Sequence, residues 1–296
     1  MALLSTAWHA PTEGNGTVRK AAHMARRVQG WRKLAGAAWG PPMDPQFYGD
    51  MAVDAAALLS YVEQARASTG VHLTITHLIG RAVAHGLAEV PELQVRIARG
   101  RVQDRDSIDV FFIVTAGAGQ ELTGVKVTAA DRKSAVDLGR EVSERCAAIS
   151  AGRDPELGRG KALLTRLPPW LLRAALHAGA WLTSDLDRDL SRFGMPRQAF
   201  GGAMITSVGM WGVSHAYSPL AHYYRVPVLV LVGEAHPAPV VVQGKVVARP
   251  MLTLTATFDH RYVDGLHAAR FAAAVRDYCA DPARFEPALP RVAAPA

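Results

Sequence analysis

Thr257-Phe258-Asp259-His260-Arg261-Tyr262-Val263-Asp264-Gly265 places a histidine, two carboxylates and a guanidinium within nine residues. An imidazole with a reference pKa of about 6.5 can take a proton at neutral pH, so His260 is a candidate general base. The elements on either side would hold it in place. Met251 to Phe258 alternates, with Leu252, Leu254, Ala256 and Phe258 on one face and threonines on the other, which predicts a strand. Leu266 to Ala280 has apolar residues at helical spacing, which predicts a helix. A plainer reading makes His260 a hydrogen-bonded strand-end residue and Asp264 the N-cap of that helix. Residue chemistry alone leaves both readings open.

Asp-His-Arg-x-x-Asp-Gly followed by Ala268-Ala269-Arg270-Phe271 resembles the active-site signature of the 2-oxoacid dehydrogenase acyltransferases, the dihydrolipoyl acyltransferases. The wider chloramphenicol acetyltransferase-like superfamily shares its His-x-x-x-Asp-Gly core. Two further stretches carry the same resemblance. Thr76-His77-Leu78-Ile79 through Val90-Pro91-Glu92-Leu93 is similar to the family's helix ending in Pro-Glu-Leu, and Asp131-Arg132-Lys133-Ser134 to its turn into a long helix.

Composition sets wide bounds. The chain has 296 residues, 49% apolar and 20% charged, so it can bury a substantial core. Its net charge of +7 admits nucleic acid, an anionic membrane or a phosphorylated ligand such as coenzyme A. No Lys/Arg block with interleaved aromatics supports nucleic acid. Cys146 and Cys279 provide neither a disulfide framework nor a metal set. The start lacks a signal-peptide pattern, so the expected location is the cytoplasm.

Along the chain, residues 1–46 are expected to form a mobile arm and a Trp/Arg-rich strap containing Arg26-Arg27, Trp31-Arg32-Lys33 and Trp39. A catalytic-type domain over 47–286 should follow, with a Pro/Ala-rich tail over 287–296. Strands are predicted at Phe47–Val53, Gln94–Ile97, Ile108–Thr115 and Leu122–Val127. Helices are predicted from an Asp54 N-cap to about Ser68, over Thr74–Ala88 and over Lys133–Ser150. Val110 to Val114 is apolar on both faces and should be a central strand. Pro227–Val232 is another strand, and Val240–Val247 is a hairpin with a two-residue turn at Gln243-Gly244.

Residues 154–199 exceed the short link that the family pattern implies and are expected to be a helical insertion. One helix should open at Pro168-Pro169 and run to about Trp181, with Arg173 and His177 as a thin polar stripe. A second short helix is expected over Asp185–Phe193. The first is too short to span a bilayer, so burial or a subunit contact is expected ahead of a membrane surface or an acyl-chain tunnel.

Acyl transfer from a thioester also needs a donor for the oxyanion of the tetrahedral intermediate. Gly201-Gly202 through Thr206-Ser207-Val208-Gly209-Met210 resembles the family's Gly-Gly…Ser-Asn-Leu-Gly stretch. Aligned through Gly209, the family's catalytic hydroxyl falls on Thr206; Ser207 beside it and Gly265 after Asp264 are secondary site candidates. Thr206 read without the family is a strand residue of high β propensity.

The resemblance implies an α/β fold, with a mixed β-sheet, helices packed on one face in a chloramphenicol acetyltransferase-like two-layer sandwich, and the helical insertion. It implies a homotrimer or a multiple of three, with His260 and Asp264 from one subunit meeting Thr206 of the next. The expected activity is transfer of an acyl group from acyl-coenzyme A to a thiol or hydroxyl acceptor, with no metal and no covalent lipoyl group. The acceptor is expected to be a small molecule or a separate carrier. The alternative is a non-catalytic trimeric scaffold or ligand-binding protein that keeps the fold.

Overall fold

The computed structural model describes residues 26–27, 45–116, 121–151 and 168–290. The Trp31 to Trp39 strap, the first part of the inserted segment and the end of the tail lie outside the described residues. In chain order the strands and helices are β1 (Arg26–Arg27), β2 (Gln46–Asp54), α1 (Ala56–Thr69), α2 (Ile75–Glu89), β3 (Val95–Ala98), β4 (Arg101–Asp104), β5 (Val110–Ala116) and β6 (Glu121–Val127). They continue with α3 (Ala135–Ser150), α4 (Pro169–Ala180), β7 (Ala203–Ser207), β8 (Val228–Val242), β9 (Lys245–Asp259) and α5 (Gly265–Ala280).

Six strands form the main sheet in the order β2-β9-β8-β7-β5-β6, and β1-β4-β3 form a smaller one. β7 runs parallel to both β5 and β8, and the other pairs in the main sheet are antiparallel. The sheet is therefore mixed, as expected. β5 is an interior strand with both faces covered. Phe112 joins the main core, while Phe111 joins a second cluster with Met204, Val226 and Leu229 on the opposite face.

The main core lies between the sheet and α1, α2, α3 and α5. Leu78, Ile79, Val83 and Leu87 of α2 are fully buried there, each worth roughly 1.5–3 kcal/mol relative to exposure. Part of the other face is covered by a loop. Thr255 and Thr257 of β9, the side expected to be polar, are 1% exposed. Their hydroxyls donate to the carbonyls of Ala216 (2.6 Å) and Ser218 (2.7 Å), so a loop laid across the sheet satisfies them. β8 and β9 continue past the core as a hairpin closed at Gln243 (φ 50°) and Gly244 (φ 77°).

Three expectations are corrected. Between Gln94–Ile97 and Ile108–Thr115 stands an additional strand, β4, joined to β3 by a tight turn with positive φ at Arg99 and Gly100. At α1 the cap position belongs to Ala55, while Asp54 Oδ1 accepts from Ala56 N at 2.9 Å. No second inserted helix spans 185–193. Instead α4 runs into a π turn at Trp181–Asp185, and a single 3-10 turn follows at Ser191–Phe193.

Ion pairs account for that ending. Arg225 holds Asp185 at 2.9 Å, Arg96 holds Asp187 at 3.1 Å, and Arg96 also donates to the Ser184 carbonyl. Arg197 bonds Asp187 and reaches Asp106 at 2.7 Å. These partners take up the carboxylates and a carbonyl that a continuing helix would keep. Arg173 on α4 is exposed and His177 half-buried. Among the described residues no helix is long and apolar enough to cross a membrane.

α2 begins at a histidine-based cap. Thr74 Oγ1 accepts from His77 N, and His77 Nδ1 accepts from Thr74 N, both at 3.3 Å. The second bond needs a neutral imidazole. Burial, with the charges of His72 and Arg66, pulls His77 down to about 4 from 6.5. The unfolded chain therefore takes the proton first, and the stability His77 contributes is full above about pH 6.5 and lost as pH falls towards 4. Between pH 7.5 and 5 this group alone should cost about 2 kcal/mol. Urea unfolding of the chain and of His77→Gln at both pH values checks this, because the variant should lose that part of the slope. Equal slopes would contradict it.

Candidate active site

β9 delivers His260 between two neighbouring segments. The Asp259 amide donates to Pro227 O at 2.9 Å and the His260 amide to Pro45 O at 2.7 Å. The ring lies 5.0 Å from that of Phe47, which stacks on Phe258 at 5.0 Å. His260 thus sits on the helix-covered side, at the end of β9 where β8 begins.

The turn after β9 fixes the imidazole's tautomer. His260 Nδ1 is 2.9 Å from Val263 O. A carbonyl only accepts, so Nδ1 carries the proton and the basic lone pair is on Nε2. Asp259 braces this turn. Its carboxylate accepts from Arg261 N at 3.0 Å and from Arg261 Nε at 2.9 Å, and the guanidinium NH2 closes the pair. In the sequence Asp259 and Arg261 stand only as parts of a signature, and their work here is to hold the turn that carries Val263 O.

Asp264 does what the plainer reading expects. It occupies the N-cap position of α5 with extended backbone (φ −126°, ψ −174°), and its side chain meets that of His267, three residues on. Its Oδ1 lies 2.6 Å from His267 Nδ1. The carboxylate therefore anchors the helix start, and through it the Val263 carbonyl that orients His260. Gly265 opens α5 with nothing within 4 Å of where a Cβ would stand, so no close approach requires glycine there.

Thr206 and Ser207, both half-buried, end β7. β8 pairs with them as Leu231 and Val232, while the ladder to β5 has already stopped at Ile205. Beyond them the chain turns against β8 at its bulge. A Cβ on Gly209 would stand 2.5 Å from Gly233 O, and one on Gly233 would stand 2.2 Å from Ser214 O. Both positions need glycine for backbone to approach backbone.

The registers place His260 and Thr206 far apart in one chain. His260 falls level with Val226 and Gly201, five strand positions from Thr206 and two strands across. That is about 17 Å along the strands and about 10 Å between them. The faces differ too. Thr206 shares the parity of Met204 in the second cluster, whereas Phe258, next to the His260 ring's partner Phe47, belongs to the main core.

Comparisons with known proteins point one way. Residues 196–286 match the family described as 2-oxoacid dehydrogenases acyltransferase (catalytic domain). A dihydrolipoyllysine-residue acetyltransferase component of the pyruvate dehydrogenase complex from Mycoplasma capricolum is 24% identical over 218 residues, covering 73% of this chain and 40% of that protein. The lipoamide acyltransferase component of the branched-chain alpha-keto acid dehydrogenase complex of Pseudomonas aeruginosa is 39% identical over 89 residues, 29% of this chain and 20% of that protein. The chain thus spans less than half the length of these relatives.

In fold it matches a probable dihydrolipoamide acetyltransferase from Listeria monocytogenes (TM-score 0.62, 21% identity, 87% of this chain and 92% of the other). It also matches dihydrolipoamide acetyltransferase from Azotobacter vinelandii (TM-score 0.60, 20% identity, 93% and 99%). The resemblance read from the motifs holds, and the α/β fold with a mixed sheet is that of these acyltransferase cores.

If Asp264 acts as a cap, Asp264→Ala should lower stability by roughly 0.5–2 kcal/mol, while Asp264→Asn, a comparable capping residue, should cost little. Thermal or urea unfolding of both variants checks this. An Asn variant as destabilised as the Ala one would show that the charge opposite His267, and not the cap, carries the effect.

Proposed function

We propose that this protein is an acyltransferase that moves an acyl group from acyl-coenzyme A to a thiol or hydroxyl acceptor, with His260 as general base. The observation that carries the reading is the bond from His260 Nδ1 to Val263 O, which leaves Nε2 as a base within the family-matched region. Nε2 takes the proton of the acceptor as its sulfur or oxygen attacks the thioester carbonyl. The tetrahedral oxyanion forms, then collapses as the bond to the coenzyme A sulfur breaks. The imidazolium returns the proton to the departing thiolate. Val263 O, still accepting from Nδ1, favours the protonated ring during the intermediate and keeps its plane fixed.

The oxyanion needs a positioned donor, and Thr206 is the candidate. Its separation from His260 within one chain means that the same chain's Thr206 cannot serve that carbonyl. A second copy, related as in a closed ring, can bring its Thr206 to the His260 of the first. A homotrimer is the assembly proposed, with two-part sites at its contacts.

Thiol release from acetyl-coenzyme A with a panel of small thiols and alcohols tests the reading. His260→Ala should fold and lose roughly 10²–10⁴-fold in turnover. Thr206→Val should lose about 10²–10³-fold, mostly in kcat, while Thr206→Ser retains most activity. A His260→Ala variant as active as the parent would sink the mechanism. If Thr206→Val is tolerated and Ser207→Ala is not, the donor is Ser207.

A further inference from the structure

The described part of the inserted segment folds back on itself around a cavity of about 320 Å³. α4 and the π turn make one wall, and residues 194–200 with Tyr223 make the other. Ala175 and Thr183 both line it, so the cavity follows the α4 axis for about 12 Å. Small residues leave the space: Ala175, Gly179 and Ala199 stand where larger side chains would fill it. A Cβ on Gly179 would come 3.2 Å from Met195 Sδ, so this glycine lets Met195 lie against α4. A thioether chain there is an adaptable wall.

The two ends of the cavity differ. At the π turn, Thr183 Oγ1 donates to Gly179 O at 2.9 Å, and Arg96 donates to the Ser184 carbonyl. Those polar groups are satisfied, and no charged residue stands in the lining. Towards the start of α4, Leu171 continues the helix face of Ala175, Ala178 and Leu182, and it is 37% exposed. The apolar stripe therefore leads from the cavity out to solvent. Left unfilled, such a space forfeits the packing of its walls. About ten methylenes, each of roughly the 30 Å³ that a water molecule takes up, would fill it.

We propose that this cavity holds the hydrocarbon chain of a medium-chain acyl compound, with its polar head at the solvent end beside Leu171. A single chain suits the long, narrow space, and a head group has no charge to meet inside. The proposal does not rest on acyl transfer, since binding is read without turnover.

The test is calorimetric titration of the full chain with the straight-chain carboxylates from butyrate to tetradecanoate, and with adamantane-1-carboxylate as a compact cage. The straight-chain acids should bind at one site per chain. Affinity should rise about fourfold per methylene as each one leaves water, then level off near ten carbons, when the cavity is full. The cage acid should bind at least tenfold more weakly than decanoate. Ala175→Phe and Ala199→Leu each fill the space without changing a charge, and each should weaken decanoate binding at least tenfold. Two variants on opposite walls keep the test decisive if one fails to fold. The proposal is overturned if no acid binds saturably, as when the chain's own side chains occupy the space. An affinity that climbs past ten carbons without levelling, as in association with an open surface, would overturn it too. So would equal binding of the cage acid, or unchanged binding in either folded variant.

Discussion

Backbone register between β7, β8 and β9 is the constraint on which the site depends. β9 is locked between β2 and β8, and its pairing with β2 runs without interruption from Gln46–Asp259 to Asp54–Met251. A slip of one residue would turn Leu252, Leu254 and Phe258 out of the core and move every side chain to the other face. The same ladder decides that His260 emerges where β8 begins, and the parallel pairing of β7 decides that Thr206 ends at the opposite margin. Neither residue can be moved towards the other without breaking the sheet that orders both. For the proposed pair, His260 as base and Thr206 as oxyanion donor, one carbonyl is served only by residues of two copies.

Around that frame, charge organises what the apolar core does not. Arg96, Arg197 and Arg225 hold Asp185 and Asp187, and so fasten the inserted segment onto β3 and the loop before β8. Asp259 and Arg261 brace the turn after β9 by the same kind of pair. Glu286 closes the C-terminal side. Its carboxylate accepts from Ala135 N at the start of α3 and from the Tyr278 hydroxyl, with Arg81 Nε at 3.2 Å. Arg105 differs from these cations in that its hydrogen bonds go to neutral oxygens, Gln198 Oε1 and Arg225 O.

Much of this was legible from residue order, for physical reasons that differ between elements. β9, α2 and α5 carry long runs of one period and β5 a continuous apolar run, so their identity follows from the sequence. β4 does not, because Arg101-Val102-Gln103-Asp104 has one apolar residue and is held by backbone pairing. The threonine side of β9 reads as solvent-facing, since nothing in the aperiodic 213–221 stretch announces that its carbonyls will cover those hydroxyls. His260 and Asp264 are visible because they share one short stretch. The Val263 carbonyl is not, because it is backbone, and Asp264's pairing with His267 shows only once the first turn of α5 is built.

The central claim is that one catalytic unit spans two chains. It is tested most directly by co-expressing His260→Ala and Thr206→Val chains under separate tags, purifying mixed oligomers and measuring turnover against each variant alone. A mixed trimer holds two chains of one kind and one of the other, so both groups are intact at about a third of its sites if each site takes His260 from one copy and Thr206 from the next. The account predicts that fraction of the unmodified activity. Mixed oligomers as inactive as either variant alone would contradict it.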